Sequence, residues 1–264
     1  MLPICFIVDK NVFMYLDMVI KSIKNTLTIP FHVCVLTDSD NTSLLTINFL
    51  KNFLIDTQFT VKSLSNKDME YLNSLYVEEG RKDITGFGYA QLLVCHYFSE
   101  YNKILFMEPD QIVRADLSDF WNEICTKDVK LAAVNYNNGS KTLTTLYNLH
   151  HSGLVKHIRA FNCGVVVYDT TYWIRNNLSD LCFLIVQKQK ETGGSVYDYY
   201  AEGAMNVALQ DHFYELDKKY NMCDLGWNPN LSKSSLDNAV ILHWNGLHKP
   251  WKSSGYYKEY YSVS

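Results

Sequence analysis

The residues with the clearest chemical potential are two carboxylates, Glu108 and Asp110, which lie one residue apart after an apolar run. The run, residues 103 to 107, is too short for a helix and too apolar for a solvated edge, which is typical of a central strand in a parallel sheet. Ligands bind beyond the carboxyl ends of such strands, and Mg²⁺ and Mn²⁺ prefer oxygen ligands that they share with substrate phosphates. The pair therefore predicts a cation site, with a turn capped by the acids and stiffened by Pro109 as the alternative.

Two later segments place polar side chains at the ends of predicted strands. Asn162 lies at the start of a strand predicted for residues 161–168, and His243 closes a strand predicted for 239–243, with Gly246 and Lys249 following. Taken singly, His243 could be a strand-end histidine bonded to backbone, and Lys249 could be a solvated surface lysine. The role of each residue therefore depends on which other residues lie beside it in the fold.

The elements that must position these residues alternate between strands and helices. Strands are predicted for residues 3–8, 31–36, 59–64, 103–107, 131–134, 161–168 and 239–243, and helices for 12–23, 44–54, 89–98, 116–125, 171–190 and 201–210, with a further helix beginning near residue 66. This alternation predicts a parallel or mixed sheet covered on both faces, in one α/β domain over residues 1–264. The stretch from Asn135 to Arg159 is the least patterned and is predicted to be a lid or binding loop.

The composition narrows the class of protein. A chain of 264 residues with 47% hydrophobic residues can build a large core, and its net charge of -4 disfavours a nucleic-acid partner. The seven cysteines are scattered and never spaced as CxxC, which indicates a reducing compartment over a disulfide framework. Residues 1–8 read as a strand and not a signal peptide, and no apolar segment reaches membrane-span length, so a soluble cytoplasmic protein is expected.

Three motifs, taken together and in this order, resemble those of the retaining glycosyltransferases of family 8, which include glycogenin and the plant galacturonosyltransferases. Residues 105–113 align without a gap with the family's LYLDADVVV pattern, and residues 161–164 match its FNxG segment. The closing HxxGxxKPW motif has five fixed positions and is the most specific; it is matched by His243, Gly246, Lys249, Pro250 and Trp251. The similarity spans nearly the whole chain. It implies a GT-A-type, Rossmann-like nucleotide-sugar-binding fold with a mixed central sheet.

The resemblance also assigns roles to residues. It implies that Glu108, Asp110 and His243 coordinate manganese, with magnesium as the alternative, and that the metal bridges the diphosphate of a UDP-sugar. Two hard carboxylates and one imidazole suit this ion. Lys249 would grip the β-phosphate, and Gly246 would leave room for it.

At the amino end, the family's uridine-binding turn is matched in part by Asp9-Lys10-Asn11. Asp9 would accept from the uracil imide, and Asn11 would help to seat the nucleotide. Val12 stands where the family often has an aromatic that stacks on uracil, although Phe13 is adjacent. A turn built from Asp and Asn is the alternative interpretation.

The chain departs from the family pattern at several positions. Glu108 replaces the first aspartate of the DxD motif, and Gln91 lies where many members have an Arg or Lys near the diphosphate. The segment 201–203, Ala-Glu-Gly, replaces DQG, in which the family uses Asp for donor-sugar hydroxyls and Gln beside the anomeric carbon. Glu202 could therefore stabilise an oxocarbenium-like centre or attack it, or be a helix-N-terminal glutamate favoured by the dipole. Asp198 matches a family aspartate and would orient the acceptor.

These expectations add up to a manganese-dependent retaining glycosyltransferase. It would transfer a hexose from UDP-glucose or UDP-galactose to a hydroxyl of a glycan or protein, with Asn162 and Glu202 at the anomeric centre and the acceptor under the 135–159 loop. A homodimer is compatible with the sequence. Two alternatives stay open: a catalytically silent member that binds nucleotide or glycan as a scaffold, and self-glycosylation on tyrosines 256, 257, 260 or 261.

Overall fold

A computed structural model describes residues 1–54, 57–76, 85–136, 141–191, 200–210 and 212–262. In these ranges the strands are β1 (Leu2–Val8), β2 (Phe31–Thr37), β3 (Gln58–Ser63), β4 (Lys103–Met107), β5 (Gln111–Val113), β6 (Leu131–Asn135), β7 (Phe161–Asp169), β8 (Tyr214–Leu216) and β9 (Ile241–His243). The helices are α1 (Leu16–Thr26), α2 (Asp40–Phe53), α3 (Asn66–Leu75), α4 (Val94–Tyr97), α5 (Ser118–Thr126), α6 (Lys141–His151), α7 (Thr170–Arg175), α8 (Leu178–Glu191), α9 (Ala201–Leu209) and α10 (Lys233–Asp237).

The main sheet has seven strands among the described residues, in the order β3-β2-β1-β4-β7-β6-β8. Strands β3, β2, β1 and β4 run parallel, whereas β7 is antiparallel to both β4 and β6. The predicted mixed sheet is therefore confirmed, and β4 lies where the sheet changes direction. In open α/β sheets, crevices for ligands form outside the carboxyl ends of the strands at points where the strand order reverses.

Side chains of the sheet alternate between two hydrophobic layers. Ile104 and Phe106 pack with α3, α8 and α9 on one face, and Leu105 and Met107 pack with α1 and α5 on the other. This period of two explains why β4 reads as a continuous apolar run, since both of its faces are covered. The strand can thus carry acidic residues only where it leaves the sheet.

A separate pair of short strands connects two distant parts of the chain. β5, just after the acidic turn, runs antiparallel to β9, and Gln111 lies opposite His243 in the register. The Trp244 backbone N–H extends this ladder by donating to the Asp110 carbonyl at 3.0 Å. The pairing holds the closing segment of the chain beside the end of β4.

Several predicted elements differ from the structure. The unpatterned stretch from Asn135 to Arg159 contains helix α6, so the prediction of a loop was wrong there. Its pattern was weak because in the described part of α6 Thr142 and Leu146 are the buried residues, and they repeat at a single helical spacing. The predicted long helix from 171 to 190 is instead two helices, α7 and α8, which are separated at Asn177, where φ is 49° and asparagine is tolerated.

The remaining differences are small. Residues 86–93 form a 3-10 helix that leads into the single turn of α4, where one helix was predicted. None of the helices in the described ranges combines the length and apolar character that crossing a membrane requires.

Candidate functional site

Glu108, Asp110 and His243 meet at the carboxyl end of β4. His243 Nε2 lies 2.8 Å from Glu108 Oε2 and 3.3 Å from Asp110 Oδ1, and one ligand atom from each residue falls within 4.8 Å of the others. The imidazole is fully buried, whereas the Glu108 side chain is 37% exposed. The three side chains, which we call the acid cluster, therefore form a buried site with one open side.

A glycine of β7 makes room for the acid cluster. A Cβ on Gly164 would lie 2.2 Å from His243 Cε1 and 2.8 Å from Glu108 Oε2, distances that real Cβ atoms do not adopt. The Gly164 carbonyl also accepts from the Glu108 N–H at 3.0 Å and from Gln111 Nε2 at 2.7 Å. The glycine of the FNxG segment is thus required by the close approach of the other two motifs.

The chemistry of the acid cluster fits a divalent cation. Asp110 Oδ1 and His243 Nε2 are both buried, and neither has a hydrogen-bond partner of acceptable geometry among the described residues. Buried polar atoms that lack partners are costly, and a cation coordinated by two carboxylates and an imidazole would satisfy both. The arrangement therefore accommodates a metal such as Mn²⁺ or Mg²⁺.

The electrostatics of the acid cluster point the same way. Although burial lowers the pKa of His243, the neighbouring Asp110 and Glu108 carboxylates outweigh it and raise that pKa well above its usual value. Burial would raise the pKa of Asp110, but Lys249 and His243 hold it well below its usual range. The site therefore concentrates negative charge that a cation or the imidazolium proton must balance.

Lys249 binds the second oxygen of Asp110. Its ammonium donates to Asp110 Oδ2 and, at 2.8 Å, to the Trp244 carbonyl. Asp110 therefore has one oxygen directed to Lys249 and the other to His243. Two residues of the same sequence motif, His243 and Lys249, thus contact the two oxygens of the Asp110 carboxylate.

A chain of side-chain hydrogen bonds leads from His243 to Glu202. The Asn221 Oδ1 lies 2.9 Å from His243 Nδ1, and Asn221 Nδ2 donates to Asn162 Oδ1 at 2.9 Å. Asn162 Nδ2 in turn donates to Glu202 Oε2 at 2.9 Å, and the Cys163 N–H donates to the same oxygen. Since a carboxamide oxygen can only accept, His243 Nδ1 keeps its hydrogen and Nε2 is the nitrogen that faces the two acids.

Glu202 lies in the first turn of α9 and is almost entirely buried. Burial raises its pKa to about 7, against the opposing effect of the Cys163 N–H bond and with a further increase from Glu108. The carboxyl group can therefore exist in either protonation state near neutral pH, which is a property of acid–base and nucleophilic groups.

Two adjoining cavities open on either side of the acid cluster. The first cavity, of about 330 Å³, is lined by Gln91, Tyr136, Asn162, Glu202, Trp227 and Asn245 among others. The second cavity, of about 310 Å³, is lined by Asp9, Val12, Tyr15, Phe87 and Trp251 among others. Both share Ile7, Gly88, Glu108, Asp110 and Lys249, so the acids and the lysine lie at their boundary.

Comparison with known proteins identifies the family. The model of glycosyl transferase family 8 matches residues 3–255. The chain belongs to this family. Probable galacturonosyltransferase 13 of Arabidopsis thaliana is 22% identical over 222 residues, which are 79% of this chain and 41% of that protein. Probable galacturonosyltransferase 6 of the same plant is 24% identical over 92% of this chain and 43% of its own length. The chain thus spans less than half of these relatives.

Solved structures establish the type of fold. The galactosyltransferase LgtC, solved with donor and acceptor sugar analogues, superposes with a TM-score of 0.71 over 98% of this chain and 94% of LgtC, at 19% identity. Core-mannan synthase A of Aspergillus fumigatus, in a form with Mn and GDP, superposes with a TM-score of 0.54 over 80% of this chain and 69% of the other, at 10% identity. The predicted GT-A-type fold is therefore confirmed.

The family's amino-terminal turn is self-contained in this member. Asp9 accepts from the N–H groups of Asn11 and Val12 at 2.8 and 3.0 Å and from Asn11 Nδ2 at 3.2 Å. Asp9 lines the second cavity, whereas Asn11 is exposed and is not among the lining residues in the described part of the chain. The structure thus shows the Asp–Asn turn and places Asp9 at the second cavity, and the roles of Asp9 and Asn11 in seating the nucleotide stay predictions.

Gln91 and Gly246 lie at the first cavity, with neighbours that the sequence did not indicate. The Gln91 amide donates to the Cys163 carbonyl at 2.9 Å and to the Tyr168 hydroxyl at 3.0 Å, which ties it to β7. Gly246 has φ of 117°, and the space above it is filled by the Trp227 indole. Asp198 lies outside the described residues.

Sequence reasoning missed the aromatic wall of the second cavity. Tyr15 and Trp251 stack with ring centroids 3.9 Å apart and an angle of 14°, and both line the cavity together with Phe87. The adjacent Phe13 instead packs edge to face on Phe49, and both rings are partly buried against the core. Trp251 was singled out as a motif position, but no local signal places it beside Tyr15, because the two are joined only by the tertiary fold.

The four tyrosines near the end of the chain have packing roles. Tyr257 hydroxyl donates to the Asn228 carbonyl at 2.8 Å, and Tyr260 hydroxyl donates to Asp237 at 3.1 Å. Tyr256 stacks on His248, and Tyr261 packs against Trp244. In the part of the chain that the structure describes, none of the four lines either cavity.

Proposed function

We propose that this chain is a metal-dependent retaining glycosyltransferase that transfers a hexose from a UDP-sugar to a hydroxyl acceptor. The observation that supports this most is the position of the acid cluster, at the boundary of two adjoining cavities with Lys249 beside it. A nucleotide diphosphate-sugar has the same order of parts: a base, a charged diphosphate and a sugar. Family membership supports the reaction class.

Glu108, Asp110 and His243 would hold Mn²⁺, or Mg²⁺ in its place. When bound, such an ion neutralises the charge that develops on a departing nucleoside diphosphate. The protein's own part is to hold His243 Nε2 toward the carboxylates through Asn221 and to supply the Lys249 ammonium as a second positive charge. Lys249 can exchange its bond with Asp110 for one with a phosphate oxygen, since both partners are anionic oxygens.

The second cavity would receive the uridine. Its lining combines one carboxylate, Asp9, with the stacked pair Tyr15 and Trp251, and a planar base presents both imide groups and π-faces. The stacked pair takes over the role that the resemblance assigned to an aromatic at position 12. The sugar would then lie across the boundary in the first cavity.

Asn162 and Glu202 would line the anomeric centre in the first cavity. Asn162 holds the Glu202 carboxylate through its amide, and the Cys163 N–H holds the same oxygen. In one route UDP leaves and the acceptor hydroxyl attacks the same face while the carboxylate stabilises the positive charge. In the other route the carboxylate displaces UDP to form a covalent adduct, which the acceptor hydroxyl then displaces. Either route retains the α configuration. Asp198 would orient the acceptor, as the resemblance implies.

The charges that line the first cavity favour a neutral hexose, of the glucose or galactose type. Among its described lining residues, Lys249 is the one cation, and it is paired with Asp110. A uronic acid would bring a fourth carboxylate toward Glu108, Glu202 and Asp110, which costs energy without a matching cation. This distinguishes the proposed donor from one carrying galacturonate.

We propose that the enzyme is cytoplasmic and that residues 1–264 form one domain. We also propose that this domain can form a homodimer. The described structure shows six of the seven cysteines buried, where thiols pack as small apolar groups.

The test is UDP release from a panel of UDP-sugars, with and without added Mn²⁺. We expect release from UDP-glucose or UDP-galactose that depends on the metal and is lost in Asp110→Asn. The variant Asp237→Asn is a matched control, because it removes a carboxylate that bonds Tyr260 and lines neither of the two cavities as described. No release and no UDP binding would contradict the proposal, whereas UDP binding without release would favour the silent-scaffold alternative.

A further inference from the structure

The indole of Trp227 lines the first cavity but has no role in the site described so far. Its side chain is 46% exposed, whereas Trp121, Trp173 and Trp244 are buried. Asp9, Tyr15 and Trp251 line only the second cavity, so Trp227 lies on the side of the acid cluster away from the proposed nucleotide. A ligand that contacts Trp227 would therefore lie beside the donor's sugar and not beside its base.

Gly246 fixes how the indole is presented. A Cβ on Gly246 would lie 2.5 Å from Trp227 Nε1 and 2.6 Å from both Cδ1 and Cε2. Nearly equal distances to three atoms of the five-membered ring place that point over the ring face and not at its edge. One face of the indole is therefore covered by the Gly246 backbone, and the exposed surface is the opposite face with the rim.

The turn that carries Trp227 is held from several sides. The N–H groups of Trp227 and Asn228 donate to the Asp224 carbonyl at 3.0 and 2.8 Å, and Asp224 N–H donates to Asn245 Oδ1 at 2.5 Å. The Tyr136 hydroxyl donates to Asp224 Oδ1, and Gly226 pairs with Gly246 in a parallel bridge. The indole is thus a preorganised surface, which binds at a lower entropic cost than a mobile side chain.

We propose that Trp227 is the stacking platform for a saccharide acceptor, so that the acceptor hydroxyl is presented by a neutral sugar ring. The inference rests on the proposed glycosyltransferase function and names its acceptor class. A pyranose has an apolar face of C–H groups and a rim of hydroxyls, which suits a flat indole face bordered by Asn245 and Tyr136. Specificity would come from the polar rim and affinity from the stacked face.

A saccharide fits this surface better than a peptide segment. An extended peptide usually binds by adding main-chain hydrogen bonds along a strand edge, with pockets for alternate side chains. The Trp227 turn instead directs its Asp224 carbonyl and Gly226 carbonyl inward, to the N–H groups of Trp227 and Asn228 and to that of His248. What the turn offers is an aromatic face, and a sugar ring matches it.

The experiment uses the full chain with Mn²⁺, a UDP-sugar that it turns over, and lactose, maltose or cellobiose as acceptors, with a serine- and tyrosine-containing synthetic peptide in parallel. We expect Trp227→Ala to raise the KM for the accepted disaccharide by about tenfold or more, while the KM for the UDP-sugar changes by less than about twofold. Trp227→Phe, which keeps a ring, should recover most of the loss. Tyr147→Ala removes an exposed aromatic of α6 that lines neither described cavity and is the matched control.

Intrinsic fluorescence separates this inference from the function on which it rests. Titration of the wild-type chain with the same disaccharides should change the tryptophan emission, and the change should vanish in Trp227→Phe. This readout needs no turnover, so it can succeed even if no donor is hydrolysed. No emission change with any of the disaccharides, or transfer to the peptide that Trp227→Ala leaves intact, would overturn the proposal.

Discussion

Replacing Glu202 by glutamine should stabilise the metal-free protein, and the gain should grow with pH. Glu202 is buried, and its pKa is raised from 4.5 to about 7. A folded state with a raised carboxyl pKa binds the proton more tightly than the unfolded chain does. The stability that this carboxyl group contributes is therefore fully present below the pKa of the unfolded chain. It is lost as the pH rises from the unfolded pKa to the folded pKa. Glutamine is neutral throughout and avoids this loss.

The size of the effect follows from the two pKa values. A shift from 4.5 to about 7 corresponds to about 3 kcal/mol of differential stability once the pH exceeds both values. Between pH 5 and pH 8 the ionisation of this one group should remove about 2.5 kcal/mol from the free energy of unfolding. A glutamine oxygen can accept the bonds from Asn162 Nδ2 and Cys163 N–H, so the hydrogen-bonding pattern is preserved.

The assay is urea unfolding of the wild type and Glu202→Gln in EDTA at several pH values from 5 to 8. The difference in unfolding free energy between the two proteins should increase in favour of the variant by about 2 to 3 kcal/mol over that range. Glu70→Gln, at an exposed position of α3, is the matched control for removing a carboxylate. A difference that stays constant with pH, within about 0.5 kcal/mol, would refute the reasoning about burial.

Four further predictions concern the acid cluster and the second cavity. Gly164→Ala should lower Mn²⁺ affinity by about 10- to 100-fold, because its Cβ would displace His243, and titration calorimetry measures this. Glu108→Asp should weaken the same binding, since the carboxylate retreats from His243 by about 1.5 Å, the length of one C–C bond; tighter binding would show that the longer side chain is no advantage. Asn221→Leu should reduce Mn²⁺ affinity about tenfold or more by freeing His243 Nδ1, and an unchanged affinity would contradict the proposed orientation. Trp251→Ala should reduce UDP affinity about tenfold in a direct binding assay, and equal binding would exclude the stacked pair as a base site.

The acid cluster was foreseeable from sequence because each of its residues comes from a short motif at the end of a strand. Glu108 and Asp110 follow a run whose apolar character reflects burial on both faces of the sheet. The resemblance added His243, which no local pattern could pair with them. The structure supplies the physical link, since β5 and β9 pair and place Gln111 opposite His243.

The aromatic surfaces could not be predicted in the same way. Tyr15 and Trp251 are 236 positions apart. Trp227 presents a single indole face to the first cavity only because the Gly246 backbone covers the other face. A tryptophan or tyrosine in a sequence is most often a core or interface residue, so its type alone carries little information. Helix α6 was missed for a related reason, because the buried stripe in its described part is only Thr142 and Leu146.

In the hydrogen-bond chain from His243 to Glu202, each group has a fixed role as donor or acceptor. This order determines whether a substitution at Glu202 can alter the orientation of the His243 ring. The Gly164 N–H donates to Asn162 Oδ1 at 3.0 Å, so the Asn162 amide nitrogen must face Glu202. Asn221 then donates to the same oxygen and presents its own oxygen to His243 Nδ1. A carboxylate or a carboxamide at position 202 can equally accept at the end of this chain. Exchange of Glu202 for glutamine should therefore leave the imidazole orientation in place, and we expect any change in turnover that it causes to reflect the lost charge at position 202 and not a reoriented His243.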